Sequence, residues 1–272
     1  MKYNLKTSLT LLALGSMFFS ANAHRVWIAT EHAHGGDIIK ADLGYGHFPK
    51  MEEIRKDRLN IFKPLQIVTP KGTQELVQSG KNYQFQTKAP VDDGSYLILA
   101  QYKPTYWSKS ATGWKRANLQ EHAGANYCEQ TQMFGKHVIN VGHDAADTKL
   151  IGEPVGQNLE IVPLDNPANI KVNKPFKVQV LYKGEPLAGA TLTATFQGFD
   201  KRDPDELAKV ERHEAQAFSD QTDDEGIVSI IPLRRGFWKA AIEHKAPYHD
   251  AKICQFEANY ATLTFQIGSH RH

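Results

Sequence analysis

The sequence is poor in sulfur, in net charge and in long apolar runs, and each shortage excludes a class of protein. It has 2 Cys and 4 Met among 272 residues. Two cysteines cannot build a disulfide-dense scaffold or a four-thiolate zinc site. Two of the methionines, Met1 and Met17, fall in the first stretch of the chain, so a thioether-rich copper(I) site is not expected. The longest apolar run lies near the start, at 9–19, and is too short to cross a bilayer as a helix. Lysine plus arginine number 32 and aspartate plus glutamate 30. Without a basic excess, the electrostatic footprint of a nucleic-acid binder is missing. Also missing are a GxSxG elbow, an HExxH helix, a CxxC pair and a glycine-rich phosphate loop, so neither a known hydrolase motif nor ATP hydrolysis is expected.

What is present begins with an export signal. Lys2 and Lys6 precede the apolar run, and Ser20-Ala21-Asn22-Ala23 offers small residues for cleavage. The expected mature chain runs from His24 to His272, is periplasmic, and has no membrane anchor. The leader, 1–23, carries two lysines and no acid, so 30 basic and 30 acidic residues remain.

The mature chain reads as all-β. Short runs rich in β-branched and aromatic residues recur at 25–29, 37–43, 59–62, 66–69, 83–87, 95–102 and 136–141. They recur again at 159–162, 176–182, 190–196, 227–231, 237–243 and 261–267, with Gly, Pro, Asn and Asp between them. In Phe176-Lys177-Val178-Gln179-Val180 the apolar side chains fall on one face. Only 205–210 reads as a helix. Two β-sandwich-like domains are expected: a metal-binding one at 24–150, and an immunoglobulin- or transthyretin-like one at 151–272. Between 103 and 135 the first contains a long irregular stretch, and such stretches are usually functional or mobile.

Histidine carries the chemistry. Cleavage after Ala23 makes His24 the amino terminus, where the free α-amine and the imidazole chelate one ion together. His32 and His34 are separated by one residue, so an extended backbone turns both rings to the same side. His47 sits in Gly44-Tyr45-Gly46-His47-Phe48-Pro49, between residues that constrain the backbone. His122, in the irregular stretch, is a further candidate ligand. His143, His213, His244 and His249 are expected at the surface or satisfied in the core, and His270 and His272 in a frayed tail. Amine and imidazole nitrogens suit nickel, cobalt, copper and zinc, and disfavour magnesium and calcium. In an oxidising compartment Cys128 and Cys254 are expected to pair, tying the two domains together.

Several segments resemble a known family. They are Ala23-His24-Arg25-Val26-Trp27-Ile28, the Gly44–Pro49 segment, Tyr106-Trp107-Ser108-Lys109 with Gly113-Trp114, Leu159-Glu160-Ile161-Val162-Pro163, the turn at 183–190, and Gly236-Phe237-Trp238. Over nearly the whole mature chain the sequence resembles the periplasmic component of nickel/cobalt ABC-type (energy-coupling) uptake systems, a group partly catalogued as a domain of unknown function. The resemblance implies capture of Ni2+ or Co2+ as cargo, with membrane permease and ATPase subunits as partners and no catalysis. It carries over to His24 and His47 first, and to His32, His34 and His122 after them. Two other readings remain open: a structural or adhesive β-sandwich in which the histidines are incidental, and a copper enzyme in which His24 and a second histidine brace the metal.

Overall fold

A computed structural model describes residues 24–142, 147–201 and 215–268. The expected leader, the expected helix at 205–210, and His143, His213, His270 and His272 lie outside the described residues. Among the described residues nearly all regular structure is strand. In chain order the strands are β1 (Arg25–Thr30), β2 (Lys40–Gly46), β3 (Gln66–Thr69), β4 (Gly72–Glu75), β5 (Val77–Gln78), β6 (Gln84–Gln86), β7 (Gly94–Ser110), β8 (Gly113–Lys115) and β9 (Tyr127–Val141). There follow β10 (Leu159–Pro163), β11 (Phe176–Tyr182), β12 (Glu185–Pro186), β13 (Thr191–Phe196), β14 (Phe218–Gln221), β15 (Ile227–Ile230), β16 (Gly236–Pro247) and β17 (Phe256–Ile267). No helix among them is long and apolar enough to cross a membrane.

A central sheet in the order β14-β13-β16-β17-β9-β7-β3-β4, with β8 on β7, is covered on its two faces by smaller sheets. One is β1-β2-β6-β5; the other is β10-β11-β12 with β15 on β11. Period-two alternation along the central strands feeds two separate cores. In β17, Ala258 and Tyr260 join the core beneath β1 and β2, whereas Ala261, Leu263, Phe265 and Ile267 join the core beneath β10 and β11. In β9, Met133 and Ile139 face the first core and Phe134 and Val138 the second. Buried threonine hydroxyls stitch β1 onto the central sheet: Thr262 Oγ1 donates to Val26 O and Thr264 Oγ1 to Ile28 O, each at 2.6 Å. The chain is thus a β-sandwich, as its alternation predicted.

The first core draws most of its residues from before 142 and the second most of its own from after 150. The central sheet nevertheless runs through both, because β17 pairs in parallel with β9, Phe256 opposite Glu129. The disulfide lies at the start of that pairing. Cys128 in β9 bonds Cys254, two residues before β17, across a sequence separation of 126 with Cα atoms 5.0 Å apart. The expected pairing is present, and it fastens neighbouring strands of one sheet.

Two expectations are corrected. The stretch 103–135 is mostly regular: β7 runs on to Ser110 and β9 starts at Tyr127, leaving 116–126 as its main irregular part. A register shift between Tyr102 and Thr105 absorbs Pro104, which has no N–H to give a ladder. The expected strand at 59–62 is instead the end of a 3₁₀ turn, Lys56–Ile61, which buries Ile61.

Candidate metal centre

The pairing of β1 with β2 sets the geometry. Arg25 stands opposite Gly46 in this antiparallel ladder, so continuing it by one step sets His24 opposite His47. Facing residues in such a ladder lie close enough for their side chains to touch. The two imidazole centroids are 5.5 Å apart, with the ring planes inclined at 50°. Alternation turns His24 to the same face as Val26 and Ile28, so its ring caps the open end of the first core, 5.5 Å from the Tyr45 ring. Gly46, at φ 145°, leaves the approach open; a Cβ there would stand 3.7 Å from His24 Cδ2 and 4.0 Å from Glu52 Oε1.

Burial lowers the pKa of His24, and the charges of His47 and Arg58 lower it further. Its imidazole is therefore held neutral, the form that binds metal. Arg58 and Arg25 oppose a cation here, while Glu52 attracts one.

A small cleft opens beside His24, lined by Tyr45, Tyr102, Trp107, Glu129 and Met133 among others. Its walls hold one another in place. Arg58 donates to Tyr45 Oη at 3.1 Å and lies 4.4 Å over the Trp107 ring, and Trp107 Nε1 donates to Tyr102 Oη at 2.7 Å. Glu129 is already neutralised: it pairs with Lys245 at 2.9 Å and accepts from Tyr127 Oη at 2.7 Å and Thr131 Oγ1 at 3.1 Å. About 20 Å³ of free interior remains, room for a water or an ion but not for a metabolite.

The other candidate ligands stand elsewhere. His32 and His34 lie beyond the far end of β1, whose six residues span about 20 Å when extended. Their ring centroids are 4.7 Å apart. His122 Nδ1 is 2.8 Å from Ser108 Oγ. Among the described residues no three His, Cys, Asp or Glu side chains converge as a metal cage. His24 and His47 thus stand as a pair, with no third His, Cys, Asp or Glu side chain joining them among the described residues.

His137, not singled out in the sequence, is buried in β9 between Thr30 and Thr264. It lies in the expected strand at 136–141, but both faces of β9 are buried there, so alternation does not mark it and its hydroxyl partners come from other strands. Its role is structural, and burial pushes its pKa down to about 4. His244 packs against Tyr182 at 4.3 Å and His249 against Tyr248 at 4.2 Å.

A family profile described as "Domain of unknown function (DUF4198)" matches residues 21–246. No curated protein matches the chain. Among solved structures, the D0-D1 domain of Intimin aligns over 90% of this chain and 97% of its own, at 10% identity and a TM-score of 0.23. Escherichia coli alpha-2-macroglobulin activated by porcine elastase aligns over 88% of this chain and 23% of its own, at 12% identity and a TM-score of 0.21. Superpositions this loose say nothing of function.

Proposed function

The chain belongs to the DUF4198 family, and we propose that it is an exported carrier that captures a transition-metal ion at His24 and His47. The carrying observation is the pairing of those two imidazoles across the β1–β2 ladder, with centroids 5.5 Å apart. Metal–nitrogen bonds of about 2.0–2.1 Å let two imidazoles on one ion sit up to roughly 6 Å apart, centroid to centroid. The observed spacing fits an ion between them at an angle of about 120°. Leader removal after Ala23 adds the α-amine of His24, completing three nitrogen donors from two residues.

Such a donor set favours borderline ions over calcium or magnesium. In this reading the cargo is Ni2+ or Co2+, handed outside the cytoplasm to a membrane permease that works with ATPase subunits, and the protein is a carrier without catalysis. The affinity order places Cu2+ above both, so cargo choice depends on metal supply as well as on the site.

The test is calorimetric titration of the processed chain with Ni2+, Co2+, Cu2+ and Zn2+, beside a version bearing one extra residue before His24. A loss of tenfold or more with the extension is expected; equal affinities would remove the amine from the site. Cells carrying His24→Ala and His47→Ala should lose metal accumulation. Unchanged accumulation would favour the structural β-sandwich reading.

A further inference from the structure

We infer that His32 and His34 form a second, separate metal site, a surface chelate that binds one borderline divalent ion, such as Cu2+, Ni2+ or Zn2+, through two imidazoles and water. The inference rests on geometry at the opposite end of β1 and stands whether or not His24 binds metal.

Two imidazoles at roughly right angles about one ion, with bonds of about 2.0–2.1 Å, place their centroids roughly 4.5 Å apart. The rings of His32 and His34 have centroids 4.7 Å apart and planes inclined at 88°. Both residues are exposed, while Ala33 between them is 5% exposed and packs into the first core. This is strand-like alternation in a connecting segment: one small apolar side chain anchors it, and both rings are presented outward.

The backbone carrying the rings is held from several directions. Gly142 N donates to Ala33 O at 2.9 Å and Gly36 N to Val91 O at 2.9 Å. The Asp37 carboxylate accepts from His34 N and the Asp93 carboxylate from Gly35 N, each at 2.8 Å. A Cβ at Gly35 would stand 2.7 Å from Asp93 Oδ1, so the close approach of Asp93 requires glycine there. A pair fixed before binding loses less conformational freedom on chelation than two histidines on a loose loop. The carboxylates of Asp37 and Asp93 serve this backbone and do not join the rings as a three-residue cage among the described residues. With two protein donors and open access to water, the site should load and release its ion readily, a property suited to exchange with another carrier.

The experiment uses the processed chain carrying His24→Ala and His47→Ala, so that the strand-end site is removed, and titrates it with NiCl2 and CuCl2 near neutral pH. One bound ion per chain is expected, with His32 and His34 the imidazole resonances broadened by the paramagnetic metal. Adding His32→Ala or His34→Ala should weaken that binding at least tenfold, and thermal melts should be unchanged because both side chains are exposed. Absence of binding in the His24/His47 variant would overturn the proposal. So would binding that survives the loss of both His32 and His34. Loss of the amine effect at His24 with retention of this second ion would reject the carrier reading above and leave this site standing.

Discussion

Lys136 Nζ lies 2.6 Å from Glu160 Oε1 inside the protein, with 0% and 2% of the two side chains exposed. Lys136 reaches from β9 in the central sheet to β10 in the covering sheet, so the pair crosses the second core. Glu160 also accepts from the backbone N–H groups of Val155, Gly156 and Gln157. Glu160→Ala would strand a buried ammonium and three donors together, at a cost of about 3–5 kcal/mol. Urea unfolding measures it. Lys136→Met combined with Glu160→Gln should cost less than the single change, because no uncompensated charge is left.

Gly44 stands opposite Trp27 in the β1–β2 ladder, and the Trp27 ring lies over its backbone. A Cβ at 44 would come 2.5 Å from Trp27 Cδ2 and Cζ2. The indole cannot simply swing aside, since it is 1% exposed and packed on Phe48 at 5.1 Å. Gly44→Ala should therefore lower stability by about 1–3 kcal/mol. It should also weaken metal binding, because the same ladder sets His24 opposite His47. A lowered Tm and a shifted tryptophan emission check the first effect, and calorimetry the second.

Strand β11 was legible because one of its faces is buried: Phe176, Val178 and Val180 point into the second core while Lys177 and Gln179 do not. The outer halves of β7 and β9 were not. In β9 both faces are covered from Cys128 almost to Val141, and buried polar residues such as Glu129, Thr131 and Gln132 replace the expected apolar ones. A strand buried on both sides loses the alternation that marks it. The pairing of the cysteines and the shared side of His32 and His34 followed from compartment and period. The meeting of His24 with His47 depends on ladder register between strands whose connection spans nine residues, 31–39, which no local pattern records.

The disulfide closes a long loop. For a separation of 126 residues the chain-entropy account gives about 5 kcal/mol of stabilisation. It lies beside the β9–β17 pairing, the one parallel contact of the central sheet among the described residues, so its loss should loosen that junction. Cys128→Ala with Cys254→Ala should lower the urea midpoint sharply relative to the oxidised native chain. An unchanged midpoint would show that the hydrogen-bonded ladder alone constrains this junction.

His137 gives the fold an acid-sensitive point. Thr264 Oγ1 donates to Ile28 O at 2.6 Å, so it accepts from His137 Nδ1 at 3.0 Å, while His137 Nε2 accepts from Thr30 Oγ1 at 2.9 Å. Both ring nitrogens are thus satisfied in the neutral form. Burial takes the pKa from its ordinary 6.5 to about 4, the Thr264 contact opposing the shift. Between those values the unfolded chain binds a proton that the folded chain does not, so stability rises with pH across this window and is lost on acidification. The drop expected from this residue is about 3 kcal/mol by pH 4. His24 and His244, whose pKa values burial also lowers, contribute to the same slope. Comparison with His137→Gln isolates the buried ring. Urea unfolding from pH 4 to pH 7 should give the variant a slope flatter by that amount, with the two chains differing least at the acid end. Equal slopes would mean that His137 is protonated in the folded protein, with its two threonine contacts rearranged.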